Sequence, residues 1–299
     1  MTAQQKGVLY TVLGGIFWGL SGVCGQYLFA VKGLNAKWMV TIRLVTAGFV
    51  MLMIAYAKPH AKERYRILWT DWKNFRQLIL FSIFGMATCQ LTYYMAIECS
   101  NAGTATVLQY TSPVLLVILM AVKRRKMPLV AELFALVLAV VGTFLLATHG
   151  NPGTLALSKE ALLWGIGAAI SMVLYNLLPV KLMDEFGVIP IMGCGMVIGG
   201  IFMIPFTKPW IVPGTWDVET FIGLSVVILV GTILSFFSYF KGMQIVGPAR
   251  ASLFSSSEPL TATVASAAFM HVAFVPADIV GLLCILTAVS VLALQKLHS

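Results

Sequence analysis

Long stretches without a single charged residue recur along this chain. Asp, Glu, Lys and Arg are absent from 7–31, 77–97, 99–122, 161–180, 186–207 and 220–240. Each stretch is near or above the roughly 20 residues that an α-helix needs to cross the hydrocarbon core of a bilayer. Since unpaired backbone groups are costly in lipid, only helices and closed barrels span it. The sequence therefore predicts an all-α integral membrane protein.

The overall composition agrees with this prediction. Hydrophobic residues make up 59% of the chain and charged residues 10%, whereas soluble domains are roughly 45–50% apolar and about 25% charged. The first apolar stretch, 7–31, is longer than the apolar core of a cleaved signal peptide, about 7–15 residues. We interpret it as a retained first helix.

The charge-free stretches and the turns between them predict ten transmembrane helices. Their ranges are 7–30, 37–57, 77–98, 102–122, 129–148, 160–182, 187–207, 218–240, 247–270 and 276–295. With a cytoplasmic N-terminus, the inner segments hold fifteen Lys and Arg residues and the outer segments hold four. This positive-inside bias predicts that both termini are cytoplasmic. The segment 58–76, with its basic residues and two Trp, is typical of a segment on the inner leaflet.

The two halves of the chain resemble each other at an offset of 146 positions. Trp18-Gly19 matches Trp164-Gly165, Tyr93 matches Tyr239, Pro113 matches Pro259, and Glu132 matches Asp278. Each copy holds five predicted helices, and an odd number places the second copy upside down in the membrane. We therefore predict two inverted repeats, 1–150 and 151–299, within one membrane domain. Inverted repeats build a substrate site near the bilayer midplane that opens to either side in turn.

A polar stripe runs along predicted helices 4 and 9, and a proline follows each stripe. The first stripe is Thr106, Gln109 and Ser112 before Pro113; the second is Ser252, Ser255 and Glu258 before Pro259. A spacing of three residues places each set on one helix face. Proline frees the carbonyl four residues earlier and bends the axis. The stripes indicate a cavity with two hinges, or else helix packing through hydroxyl groups.

Glu258 breaks the symmetry of the stripes, because its repeat mate is Ser112. A charged carboxylate at the bilayer centre costs about 2.5–3.5 kcal/mol. The side chain should therefore be protonated, paired or hydrated. We predict a proton-coupling or cation-binding group, and a structural hydrogen bond between helices is an equal alternative.

Arg43 lies inside predicted helix 2, on its outer half. A guanidinium group there could bind an anionic group such as a carboxylate. Pairing with Glu98, or snorkelling to the headgroups, is the interpretation that we favour.

Aromatic side chains cluster on the helices that also carry polar residues. The repeat-matched pairs Trp18 with Trp164 and Tyr93 with Tyr239 stand out among them. Such rings could hold a flat or cationic substrate, or they could only fill space. Gly15/Gly19 and Gly195/Gly199 form GxxxG spacings, which predict close helix packing. Predicted helices 5 and 10 are uniformly aliphatic, so we expect them at the periphery, against lipid or a partner subunit.

Several functional classes are poorly supported. The four histidines lie at predicted helix ends or in loops, and no HExxH, GxSxG or GxxxxGK[ST] motif occurs. An enzyme would need a nucleophile with a base, or a metal. The five cysteines show no CxxC spacing and suit small buried hydrophobic positions. The net charge is +9, and the basic runs lie between apolar helices, where topology signals belong. This distribution does not indicate binding of nucleic acid. We expect no enzyme activity, cofactor or metal.

The chain resembles the EamA family of the drug/metabolite transporter superfamily. The resemblance lies in Phe17-Trp18-Gly19, Ile42-Arg43-Leu44, the run 108–113 (LQYTSP) and the run 257–260 (SEPL). It covers essentially the whole chain. The chain departs from the commonest family pattern after predicted helix 4, where the basic run 123–126 replaces an acidic Gly-Glu. The resemblance implies a transporter of small metabolites.

We therefore expect a bacterial secondary transporter in the cytoplasmic membrane that works by alternating access and exports amino acids or related compounds. Two alternatives stay open: a transporter of cationic or quaternary amines, and a membrane receptor or assembly subunit without transport. The expected partners are a small-molecule substrate, the bilayer and a coupling proton, and the chain would act as a monomer or homodimer. The residues expected to bind substrate are Trp18, Tyr93, Gln109, Ser112, Trp164, Tyr239, Ser255 and Glu258, with Arg43 and Glu258 supplying charge and Pro113 and Pro259 the hinges.

Overall fold

The structure is a computed structural model, and it describes residues 1–57, 61–124, 129–151, 156–247, 250–251 and 254–298. Within these residues, nine helices or continuous helical runs are long and apolar enough to cross a membrane. They correspond to predicted helices 1–8 and 10. Predicted helix 9, at 247–270, includes 248–249 and 252–253, which lie outside the described residues. The count of ten helices therefore stays a prediction.

Helical segments follow one another along both halves of the chain. In the first half they are α1 Ala3–Ala30, α2 Ala36–Tyr56, α3 Ala61–Thr70, α4 Trp72–Leu80, α5 Thr88–Cys99, α6 Ala102–Gln109, α7 Ser112–Arg124 and α8 Val130–Thr148. In the second half they are α9 Lys159–Leu177, α10 Val180–Phe186, α11 Val188–Thr207, α12 Val218–Ser225, α13 Ser235–Val246, α14 Ser257–Met270 and α15 Pro276–His298. Two π-helical segments, π1 Phe81–Ala87 and π2 Val226–Leu234, join α4 to α5 and α12 to α13.

Polar residues at the helix starts explain where the spans begin. The side chains of Asn35, Asn101, Ser158 and Asp217 each accept a hydrogen bond from a backbone N–H two or three residues later. Such N-caps satisfy donors that have no partner within the helix. All four caps lie at the ends that the sequence predicts to be outside.

The repeat-matched acids Glu132 and Asp278 have the same structural role. Glu132 accepts a hydrogen bond from the N–H of Leu129 at 2.8 Å, and Asp278 accepts one from the N–H of Val275 at 3.0 Å. Both carboxylates therefore cap the first turn of their helix, where the dipole favours negative charge. This shared role explains why both halves carry an acid at this point.

The packing of the helices follows the same order in the two halves. The α1 helix packs against α13 and α14, while α9 packs against α5 and α7; α2 packs against α11, and α8 packs against α15. Exchanging each helix for its partner at the 146-residue offset reproduces these pairs. The main apolar core lies between the inner helices.

The α8 and α15 helices form a layer of their own at the periphery. Their buried residues make two small apolar clusters apart from the main core. Gly142 and Gly281 allow the two backbones to touch, because a Cβ atom on either would lie within 2.8 Å of the other's carbonyl oxygen. Large apolar side chains such as Phe134, Val137 and Leu283 point outward and are exposed. The peripheral position predicted for these helices agrees with this arrangement.

Part of the basic sequence lies beyond the described residues. In the segment 58–76, residues 58–60 are not described, and the rest forms α3 and the start of α4 with Trp69 and Trp72 exposed. Arg125 and Lys126 of the basic run 123–126 also lie outside the described residues.

Candidate functional site

Two interrupted helices meet at the centre of the bundle. A turn at Tyr110 and Thr111 separates α6 from α7, and a turn at Ser255 and Ser256 precedes α14. Pro113 and Pro259 lie in the first turn after each interruption, where a missing N–H costs no helical hydrogen bond. The interruptions therefore come just before the prolines that the sequence marks as hinges. The hinge function itself stays a prediction.

Tyr110 joins the two interruptions. Because Pro259 has no N–H, the carbonyl of Ser255 accepts the N–H of Glu258 instead, at 2.9 Å. The Tyr110 hydroxyl lies 2.7 Å from this carbonyl oxygen and 3.1 Å from Oε2 of Glu258. The single hydroxyl proton can be donated to either oxygen. Tyr110 thus holds the start of α14 and its carboxylate beside α6.

Glu258 lies deep among the helices, yet its side chain keeps some accessible surface. On one side of it, α1 comes very close: a Cβ atom at Gly15 would lie 3.2 Å from the Glu258 nitrogen, and one at Gly19 would lie 2.7 Å from its carbonyl oxygen. Only glycine fits at this distance, so the Gly15/Gly19 spacing packs α1 against α14 as the sequence predicts. The carboxylate therefore lies within the bundle, where Tyr110 contacts it.

Arg43 is buried and points into the bundle, so both of the favoured predictions for it are wrong. Its guanidinium donates from Nε to the Thr232 hydroxyl at 2.6 Å, to Gln90 at 3.0 Å and to the carbonyl of Gly231 at 3.3 Å. The expected partner Glu98 instead accepts the backbone N–H of Ala36. Polar partners on π2 and α5 hold the guanidinium inside the bundle instead.

The opposite charges of Arg43 and Glu258 face a shared interior. Both lie within electrostatic range of Tyr93, Tyr175 and Cys89. The ion pairs recorded for the described residues are those of Lys32 with Asp217 and Glu219, and of His149 with Asp278. Neither Arg43 nor Glu258 takes part in one of these. Among the described residues, the Arg43 guanidinium and the Glu258 carboxyl group therefore lie in the same interior without direct contact.

Aromatic rings line the same interior. The ring of Trp18 lies 5.2 Å from those of Tyr239 and Phe236. On the opposite wall, Tyr93 stacks edge-on against Tyr94 at 5.2 Å, and the Arg43 guanidinium lies 5.0 Å from the Tyr94 ring. Such a wall offers apolar area with polar edges.

The remaining predicted residues are distributed less evenly. Gln109 is buried and donates to the Cys89 sulfur at 3.7 Å, and Ser112 and Ser255 are buried at the interruptions. Trp164 is half-buried against the main apolar core. The ring of Trp18 contacts that of Tyr239, but among the described residues the repeat-matched ring of Trp164 does not contact that of Tyr93. Ser252 lies outside the described residues.

Four residues at the site are not in the set that the sequence predicts to bind substrate. They are Tyr110 beside Glu258, and Gln90, Tyr94 and Thr232 around Arg43. Tyr110 directly follows Gln109, so its position next to a predicted site residue was a usable signal. Thr232 gives no local signal, because it lies 189 positions from Arg43.

The end of the bundle that the sequence predicts to be outside is tied together across the two halves. Lys32 lies 2.7 Å from Asp217 and 2.5 Å from Glu219, and the Lys32 carbonyl accepts the N–H of Thr215 at 2.8 Å. The Lys32 ammonium lowers the pKa of Asp217 to about 2, and Asp217 with Glu219 raises the pKa of Lys32 above its usual range. Close by, the rings of Trp38 and Trp216 are 5.5 Å apart.

Comparison with known proteins identifies related sequences and folds. The chain matches the EamA-like transporter family over residues 5–148 and again over 159–294. It is 35% identical over 296 residues to a Salmonella typhimurium protein named "Uncharacterized inner membrane transporter YicL", covering 99% of this chain and 98% of that relative. A crystal structure of another protein has a TM-score of 0.63 at 15% identity, with 99% of both chains covered, and so shows the same fold.

Proposed function

This chain belongs to the EamA-like transporter family, and on that premise we propose that it exports amino acids or closely related zwitterions by alternating access. Its place as a multi-pass inner membrane transporter follows from the family, the transporter relative and the apolar helices of the described residues. The substrate class, the direction and the mechanism are the proposed steps.

The main observation behind this proposal is that Arg43 and Glu258, which can carry opposite charges, lie in the same interior. Three N–H donors of Arg43 are used by Thr232, Gln90 and Gly231, which leaves two of its five donors for a ligand. A carboxylate is the group that a guanidinium binds best. Glu258 accepts from Tyr110 and has further acceptor capacity for an ammonium group. One zwitterion would satisfy both residues.

The aromatic wall supports a substrate with an apolar part. Trp18, Tyr239 and Tyr93 present ring faces and edges beside the two charges. Such rings stabilise an apolar side chain through burial and a cationic group through the ring face. Gln109 lies on the same side as Tyr93 and adds a polar contact.

The packing of the helices supports two inverted repeats and alternating access. The family matches the chain twice, in tandem, and the helix pairs of the two halves exchange under the 146-residue offset. In transporters built from such repeats, one repeat rocks against the other around a central site. The interruptions before Ser112 and Ser257 lie beside the proposed site and would be its flexing points.

The direction of opening is inferred from topology. If both termini are cytoplasmic, as the fifteen-to-four distribution of Lys and Arg predicts, the contacts of Lys32 with Asp217 and Glu219 close the outer end. A conformation closed to the outside is the one in which an exporter loads its substrate.

A counterflow assay in proteoliposomes tests the substrate class. Each radiolabelled amino acid is compared with its decarboxylated amine and with its deaminated acid. We expect the amino acid to exchange at least tenfold faster than either analogue, because each analogue leaves one charge unpaired in the site. Arg43→Gln should remove the preference over the amine, and Glu258→Gln the preference over the deaminated acid.

The second candidate function is transport of cationic amines, which Glu258 and the aromatic rings also favour. Under that alternative the amine would exchange at least as fast as the amino acid, and Arg43→Gln would leave its rate unchanged. Export is tested separately, by measuring efflux from cells loaded with the substrate. A non-transporting receptor or assembly subunit is disfavoured by membership of a transporter family.

A further inference from the structure

A crevice of about 670 Å³ opens on the side of the bundle between α2, α11 and α13, next to α3. Its lining is almost entirely apolar and includes Met51, Ile54, Phe186, Met192 and Leu229. The volume lies within the usual range of ligand sites, about 300–1,000 Å³. The crevice is therefore large enough for part of an organic molecule.

The crevice opens towards the bilayer rather than towards the central site. Ile54, Leu229 and Phe237 at its edge are 45%, 55% and 54% exposed. At its inner wall stands Phe236, whose other side contacts Trp18 at 5.2 Å. The aromatic pair separates the crevice from the space around Glu258. A ligand in the crevice would come from the lipid phase.

One end of the crevice carries a positive charge. Among the described residues that line it, Lys241 alone is charged, and Gln244 lies one turn further along α13. The Lys241 ammonium lies 4.7 Å from the ring of Tyr10 and 5.5 Å from the ring of Phe237, so cation–π contacts hold it at the rim. An apolar slot with a cation at one end is complementary to an amphiphile with an anionic head.

Lys241 also lies at the membrane surface where such an amphiphile is abundant. It follows the last apolar turns of the eighth span, at the end that the basic residues assign to the cytoplasm. Anionic lipids give the inner leaflet its negative potential, which attracts basic residues near the surface.

We propose that this crevice is a binding site for an anionic phospholipid of the inner leaflet. One acyl chain fills the slot between α2, α11 and α13, and the phosphate contacts Lys241. The site is separate from the substrate site, and its test requires no transport measurement.

Native mass spectrometry on the full-length protein tests the headgroup contact. The protein is purified in mild detergent and mixed with phosphatidylglycerol or phosphatidylcholine of equal chain length. We expect Lys241→Gln to lower the phosphatidylglycerol adduct at least threefold and to leave the phosphatidylcholine adduct unchanged. The matched control is Lys181→Gln, an exposed lysine at the same end of the bundle that does not line the crevice. Equal losses in the two variants, or no loss in either, would overturn the headgroup assignment.

A second pair of variants tests the acyl chain. Leu234 lines the crevice and is 42% exposed, so Leu234→Trp should fill the slot without overpacking the core. We expect this variant to retain at least threefold less of both lipids. The control Val137→Trp adds the same ring to an exposed face of α8 and should retain both lipids normally. If Leu234→Trp binds as much lipid as Val137→Trp, the crevice is not the binding site.

Discussion

The hydroxyl of Tyr110 lies 3.1 Å from the carboxylate of Glu258, and the two residues belong to different halves of the chain. The same hydroxyl lies 2.7 Å from the Ser255 carbonyl, which cannot bond to Pro259 and also accepts the N–H of Glu258. One side chain therefore orients the proposed charge and supports the interrupted backbone next to it. Both contacts are inside the bundle, where an unsatisfied acceptor is costly.

Tyr110→Phe should impair transport more than it impairs folding. Losing the hydroxyl removes the donor that the Ser255 carbonyl and the Glu258 carboxylate share, at a cost of about 0.5–1.5 kcal/mol. We expect the counterflow rate to fall at least fivefold while the protein still elutes as a single species. Tyr175→Phe, which removes only a 3.7 Å contact to the Met192 sulfur, is the matched control. Equal rates in the two variants would show that the Tyr110 hydroxyl is dispensable.

Glu258→Gln should abolish the dependence of transport on pH, or its preference for cations. The amide keeps the size and the hydrogen bonding of the side chain but has no ionisable proton. Counterflow is measured between pH 5.5 and 8.5, with Glu160→Gln as an exposed control outside the Lys32 cluster. A Glu258→Gln variant with the rate, pH profile and substrate range of the wild type would reduce Glu258 to a structural group. The proposed site would then move towards Gln109, Tyr93 and Trp18.

Replacing both Pro113 and Pro259 by alanine should slow transport. The new N–H groups can bond to the carbonyls of Gln109 and Ser255, which allows the interrupted helices to become continuous. We expect the counterflow rate to fall at least threefold with insertion and folding largely intact. Pro209→Ala, in the outer loop after α11, controls for proline removal as such. Transport at the wild-type rate in the double variant would contradict the hinge function.

The ion cluster of Lys32 should stabilise the protein evenly across neutral pH. The pKa of Asp217 is lowered to about 2 in the folded protein. Its contribution to the free energy of unfolding is therefore complete above its pKa in the unfolded chain, about 3.9. That contribution is lost as the pH falls from there through about 2. The pKa of Lys32 is raised in the folded protein. Its contribution to the free energy of unfolding is therefore complete below its pKa in the unfolded chain, about 10.4. Thermal unfolding should therefore show the same loss for Lys32→Gln at pH 5.5 and 8.5, and a smaller loss near pH 3. Lys208→Gln serves as the control.

This pH range has a consequence for the transport assay. A cluster that keeps its charges from pH 5.5 to 8.5 contributes no pH dependence there. A change in transport rate within that range must then come from another group. If the loss for Lys32→Gln differed between pH 5.5 and 8.5, the cluster itself would titrate and this separation would fail.

Cysteine labelling should place residues 150 and 213 outside the cell. On a cysteine-free background, single cysteines at these positions should react with a membrane-impermeant maleimide added to intact cells. The fifteen-to-four distribution of Lys and Arg is the physical reason. Labelling of either position only from the cytoplasmic side would reverse the orientation.

The spans could be predicted from the sequence because their signal is local. A charge-free stretch of about 20 residues has few alternatives in a bilayer, and the second helix, predicted at 37–57, is observed at Ala36–Tyr56. The packing faces were also predictable where they depend on glycine, as at Gly15 and Gly19. The π segments were not, because their wider turns depend on neighbouring helices rather than on any residue type within them.

The candidate site was predicted less completely, because its contacts join distant parts of the chain. Glu258 was found because a carboxylate in an apolar helix is costly and therefore conspicuous. Arg43 was equally conspicuous, but its partners on π2 were not, so the sequence assigned it to Glu98 or the headgroups. Tyr110 resembled any other aromatic residue until the interruption beside Pro259 placed an acceptor in front of it.

The two π segments occupy matching positions, because the 146-residue offset places 81–87 on 227–233, within Val226–Leu234. A π turn holds one residue more than an α turn, and one residue corresponds to about 100° of rotation around the axis. Every side chain after the segment is therefore rotated by that angle relative to its position in a continuous α-helix of the same sequence. Tyr93 and Tyr239 face the interior only because of the extra residue. A segment that closed into ordinary α turns while keeping all of its residues would leave the span helical and its composition apolar, yet would turn one aromatic wall away from the site.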